Sequence, residues 1–230
     1  MRKSDGNIDM NSSALISVLR RHWMLSIVCL VLPVLGKAAD SQPDPGQLID
    51  TVAHQVLKEL DARRAEMRKD PKKIRKLVDD LLLPHFDTEY SARQVLGQHW
   101  RTATPEQRSR FIEAFYQSLL QNYGEALLDF TPDRLKIFPY KEDTSDPSRA
   151  TVRTEVRRDN GSRVPVNYTL HKLDTGWKAW DVTIEGISYV KSFRTDFASE
   201  IDQKGLDAVI TRLESQQASG KPAAKANGAK

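Results

Sequence analysis

The chain has 230 residues, a formal net charge of +4 and a pI near 9.1, a length that suits one domain with a sizeable core. Residues 39 to 214 hold 27 Lys and Arg against 29 Asp and Glu, a balance of −2, so the basicity sits at the two ends. That distribution removes the main support for nucleic-acid binding, and a single cysteine excludes a disulfide framework.

The first segment reads as a leader, residues 1–38. Arg20-Arg21-His22 precede the apolar run "WMLSIVCLVLPVL", and small residues follow at Gly36 and Ala38. A basic region, a short apolar stretch and small residues suited to cleavage are the marks of a secretory signal. The run falls short of the roughly 20 residues that span a bilayer, although an uncleaved anchor is the other reading. Translation from Met10 would leave the same signal. Cys29 lies inside the apolar run with bulky Val28 before it, a poor lipid-attachment site, so the exported protein should be free of cysteine and fold without disulfides.

Helices come next. After the turn "SQPDPG", Leu48, Val52, Val56 and Leu60 mark the apolar stripe of a helix over 47–69. Asp70-Pro71 caps a second helix carrying Ile74, Leu77, Val78, Leu81 and Leu82, which Pro84 stops. A third covers Thr88 to Leu96. Thr104, Pro105 and Gln107 form a capping box, and the helix after it bears the strongest stripe, with Phe111, Phe115, Leu119 and Tyr123 among its apolar residues.

From Thr131 the pattern changes to strands, over 134–140, 150–158, 162–173 and 177–185. Reading "DNG" (159–161) and "DTG" (174–176) each as a three-residue loop with a left-handed glycine pairs Val156 with Val164, Val152 with Tyr168, Leu170 with Trp180 and Val166 with Ile184. Even positions then share an apolar face, while Arg153, Glu155, Arg157, Asn167, His171 and Asp181 meet water. After Gly186 a helix over about 192–200 brings Phe193, Phe197 and Ile201, a short helix over 206–213 follows, and residues 215–230 have the composition of a disordered tail. The folded domain is thus 39–214. Its fold class is α+β, with several helices on one face of a curved four-stranded antiparallel sheet.

Chemistry-bearing motifs are scarce. The histidines lack ligand spacing, so no metal site is expected, and no phosphate-binding or dinucleotide glycine loop points to a cofactor. Asp181 and Glu185 share one strand face four residues apart, but that face is the one expected to be wet. What remains is the apolar sheet face and the aromatic helix, compatible with an ordinary core or with an apolar cavity between them.

Two long stretches, "WRTATPEQRSRFIEAFYQSLLQNYGEALL" and "VPVNYTLHKLDTGWKAWDVTIEGISYVKSFRTDF", resemble the MlaC family, also described as toluene-tolerance auxiliary proteins of a lipid ABC transporter. The most telling parts are a tryptophan followed by T-x-x-Q-x-x-x-F-x-x-x-F, the pair Tyr123-Gly124, and W-D-V-x-I-E-G-I-S with Phe193-Arg194-x-x-Phe197 after it. Ser192-Phe193 depart from a family pattern that tends to Asn-Tyr. The resemblance implies a soluble periplasmic carrier, not an enzyme, that holds the acyl chains of a glycerophospholipid between sheet and helices. It also implies partners: an inner-membrane ABC transporter with an MCE-domain subunit and an outer-membrane lipoprotein–porin complex. On that reading Val152, Val156, Val166, Tyr168, Trp180, Val182 and Ile184 line the sheet side, Phe111, Phe115, Leu119 and Tyr123 face them, and Ile187 and Phe193 close an end. Two other classes stay open: a cone-shaped α+β enzyme acting on a small hydrophobic substrate, and a solid-core adaptor.

Overall fold

The computed structural model describes residues 43–158 and 160–219. The expected leader, Cys29 and the last eleven residues of the tail lie outside them. Seven α-helices and five strands follow in order: α1 (Pro45–Lys69), α2 (Pro71–Leu81), α3 (Thr88–Leu96), α4 (His99–Thr102), α5 (Pro105–Tyr123), β1 (Leu135–Ile137), β2 (Arg149–Arg157), β3 (Arg163–Leu173), β4 (Gly176–Ile184), β5 (Ile187–Ser188), α6 (Tyr189–Lys204) and α7 (Leu206–Ser219). The class is α+β around one antiparallel sheet of order β1-β2-β3-β4-β5.

Helix starts follow local chemistry. Asp44, Asp70 and Asp87 each accept a hydrogen bond from a first-turn amide, so α1, α2 and α3 begin where an aspartate can satisfy an otherwise open N–H. Thr104 and Gln107 close the expected capping box at α5, each side chain bonding the other's backbone. Helix α7 extends to Ser219, past the point at which the tail was expected to lose structure. Glu214 pairs with Arg110, and the Ser215 hydroxyl bonds back to the Thr211 carbonyl, which tie down this last stretch.

The β2–β3 register is the one expected, with Val156 opposite Val164 and Val152 opposite Tyr168, and Gly161 stands at φ 80° in the intervening loop. The β3–β4 hairpin differs. Leu173 pairs with Gly176, so Asp174-Thr175 is a two-residue turn, and Leu170 faces Ala179 rather than Trp180. Farther on, Val166 does face Ile184. The extra residue is therefore absorbed inside the ladder, as a bulge where the register shifts between Thr169 and Leu170, not at the turn. The fifth strand is a two-residue edge made when Glu185-Gly186 fold the chain back on β4, with both residues at positive φ.

Buried apolar residues form three clusters. The first joins α3, α5, α6 and α7 around Phe111, Phe115, Phe193 and Phe197. A second joins α1, α2 and Leu128. The third is Ala150, Val152, Leu170 and Ala179 of the sheet, with Leu48 and Ile49 of α1 packed against them. Thus α1, not the aromatic helix α5, covers that end of the apolar face. Trp180 is the strand residue that reaches the aromatic cluster.

Candidate functional site

Along the even face the strands supply apolar side chains in graded burial. Val152 is fully buried at 0% exposure and Val166 is buried, whereas Val156, Tyr168, Val182 and Ile184 are only half-buried. This matters because β3 is an inner strand, paired on both sides. An inward side chain of such a strand loses its accessible surface when a helix packs on it. Here Tyr168 lies between Val152 and Val182 in the ladder and still keeps some.

The helical residues sort in the same way. Phe111 has 0% exposure and stacks on Phe115 at 5.6 Å between centroids. Phe193 meets Phe115 edge-on at 5.0 Å, an arrangement that aromatic quadrupoles favour. Leu119 and Tyr123 stand half-buried at the margin of this cluster. Tyr123 meets Tyr189 at 5.7 Å, where the end of α5 approaches the start of α6. Tyr189 was not among the expected lining residues. Ser188 as N-cap, followed by Tyr189 and Phe193 at helical spacing, was the signal for it.

Two expected lining residues have settings that the sequence did not foretell. Because of the bulge, Trp180 turns to Tyr90 of α3, which it meets edge-on at 5.3 Å. Ile187, expected to close an end, is 39% exposed in the β4–β5 hairpin.

The face expected to be wet is only partly so. Arg153 and Arg157 are exposed, but Asp181 has 5% exposure. Its side chain accepts from the Ser188 hydroxyl at 2.6 Å and the Val190 amide at 3.0 Å, which satisfies this buried polar group. His171 lies 3.0 Å from Asp87 and rests on the Tyr90 ring. Glu185 is exposed and pairs with Arg158 at 3.3 Å. The candidate acid–base groups therefore point to three separate structural contacts rather than to a common centre.

Polar groups on the apolar face are few. Thr154 is buried and donates to the Val166 carbonyl at 2.8 Å. Burial alone pushes the Tyr168 phenol above its ordinary range. Burial is also the main cause that raises the Tyr189 phenol, with Tyr123 and Glu185 adding to it. Among the described residues no three His, Asp or Glu gather as metal ligands, and no helix is long and apolar enough to cross a membrane.

Known proteins resemble this chain in sequence and in fold. Residues 50–215 match the sequence profile of the family described as MlaC protein. The toluene tolerance protein ttg2D of Pseudomonas putida is 32% identical over 213 residues, 91% of this chain and 96% of that protein. The intermembrane phospholipid transport system binding protein MlaC of Haemophilus influenzae is 23% identical over 207 residues, 89% of this chain and 95% of that one. A phospholipid-binding protein from Ralstonia solanacearum, solved in complex with a phospholipid, superposes with a TM-score of 0.71 at 24% identity. The match covers 77% of this chain and 99% of that one. With the family profile spanning most of the chain and relatives matched nearly end to end, the protein belongs to the MlaC family.

Proposed function

We propose that this protein is a periplasmic glycerophospholipid carrier, which encloses acyl chains in an apolar space beside the even face of the sheet and moves them between an outer-membrane lipoprotein–porin complex and an inner-membrane ABC transporter. The observation that carries the reading is the set of inward apolar side chains that retain accessible surface: Val156, Tyr168, Val182 and Ile184 on the strands, and Leu119 and Tyr123 on α5. Membership of the MlaC family and the lipid named for its relatives support it. On this reading Val152, Phe111, Phe115 and Phe193 are packed core, Val166 belongs to the wall itself, and Trp180 and Ile187 stand at its margins.

The physical task is solvation, not bond-making. Two acyl chains present roughly 25 methylenes, and at about 0.8 kcal/mol each their exposure to water would cost ~20 kcal/mol. A dry wall that matches the membrane interior removes that barrier and leaves direction to the partners. No nucleophile, acid–base pair or metal is needed for this.

Native mass spectrometry of the protein, purified without detergent as the expressing cell processes it, tests the reading. Phospholipid masses at a fixed ratio, recovered by organic extraction, are expected. A bare polypeptide mass that stays unshifted after incubation with phospholipid vesicles would overturn the proposal.

A further inference from the structure

The Tyr168 hydroxyl is a polar atom set in an apolar wall. Its ladder neighbours are Val152 and Val182, and Val166 and Ile184 follow on the same face. Among the described residues it has no hydrogen-bond partner, in contrast to Thr154, the other hydroxyl on these strands' even positions, which is satisfied by the Val166 carbonyl. Tyr168 is half-buried, so its hydroxyl is left for whatever fills the space beside the sheet, and a ligand that displaces water there must replace the hydrogen bond that the water made. Water beside it meets few other polar partners on these strand positions, since the Thr154 hydroxyl is already engaged, whereas a ligand oxygen can take the bond outright.

We infer that the Tyr168 hydroxyl donates a hydrogen bond to an ester carbonyl of the bound lipid, so that the glycerol backbone, and not the headgroup phosphate, sits against the middle of β3. This rests on the carrier reading and adds to it where along the lipid the sheet takes a polar hold. The choice of a carbonyl follows from charge. Even positions 150–156 of β2 and 164–170 of β3 carry no ionisable group other than this phenol, nor do Val182 and Ile184. A phosphate brought there would be desolvated without a cation, which is costly, whereas a neutral ester oxygen needs only one donor. Burial holds the phenol protonated and hence able to donate across the physiological range.

The test compares two probes, a diester phosphatidylglycerol and the ether-linked phosphatidylglycerol of equal chain length, against the full protein and its Tyr168→Phe variant. Phenylalanine keeps the ring and removes only the donor. Diester affinity is expected to fall about tenfold in the variant, while ether-lipid affinity stays within about twofold. Retained ether-lipid binding also shows that the variant is folded. An equal loss for both lipids would move the bond to the phosphate and overturn the assignment, as would no loss for either. If the parent protein captures neither lipid, the carrier reading itself fails, and this inference with it.

Discussion

The Asp181 carboxylate and the Val190 amide are joined by a 3.0 Å hydrogen bond that ties the bulge of β4 to the first turn of α6. The other oxygen of Asp181 holds the Ser188 hydroxyl, and the Ser188 oxygen in turn accepts from the Lys191 amide. One buried acid thus organises the start of the helix that carries Tyr189, Phe193 and Phe197. Asp181→Ala leaves a buried amide and a hydroxyl without their acceptor and should cost about 2–3 kcal/mol in urea unfolding. A loss below about 0.5 kcal/mol would mean that the capping is replaced by solvent.

Core and wall should separate by mutation. Phe111 is fully buried in its cluster and touches the Phe115 and Phe197 rings, so Phe111→Ala is expected to cost about 3–5 kcal/mol. Val182 is half-buried, and Val182→Ala should cost only about 1 kcal/mol, because less packed volume is lost. The order reverses for cargo: Val182→Asp should abolish phospholipid co-purification, while Phe111→Ala retains lipid per folded molecule. Unfolding curves and extracted-lipid ratios on the same preparations decide both points.

Glu185 adopts φ 51°, a left-handed conformation that costs L-residues with a Cβ about 1 kcal/mol or more. Its exposed ion pair with Arg158 returns little. Glu185→Asn should therefore raise the thermal midpoint by about 2 °C, as asparagine tolerates this region better. A lowered midpoint would show that the pair with Arg158 outweighs the backbone strain.

Acid stability should depend on Glu200. Arg212 grips it with two hydrogen bonds of 2.8 and 2.6 Å and holds its carboxyl below the ordinary range, against the opposing effect of burial. A depressed acid stabilises the fold above its ordinary pKa, and that contribution fades as pH falls through the folded-state value. Arg212→Gln should then cost about 1 kcal/mol at pH 7, with the gap to the parent closing under acid. Denaturant titrations at pH 7 and at about pH 3 measure it; a gap that stays constant would place the stabilisation in packing instead.

Much of the frame was legible from local rules. Caps at Asp70 and Thr104 announced α2 and α5, the apolar stripe announced α1, and the "DNG" loop announced the β2–β3 register. What escaped depended on contacts remote in sequence. The register between Val166 and Ile184 is the same whether the extra residue sits in the turn or in a bulge, so alternation could not locate it, and Trp180 was paired with Leu170, which faces Ala179 instead. Asp181 reads as a wet carboxylate until Ser188 and Val190 are brought against it. Both α1 and α5 carry an apolar stripe, and the stronger one on α5 does not say which of the two covers Val152 and Leu170. Among the lining candidates, periodicity gave the inward direction but not how much surface each would keep.

The bulge in β4 sets regularity against usefulness. Deleting one residue between Lys178 and Asp181 would heal the ladder with β3 and straighten the strand. The same deletion would remove Trp180 or pull it into line with Leu170, and either way lose the ring that docks on Tyr90. Lengthening the Asp174-Thr175 turn by one residue carries no such penalty, since the ladder beyond it is aligned by its own pairings. Variation in length is therefore expected to be tolerated at the tip of this hairpin and refused at its middle.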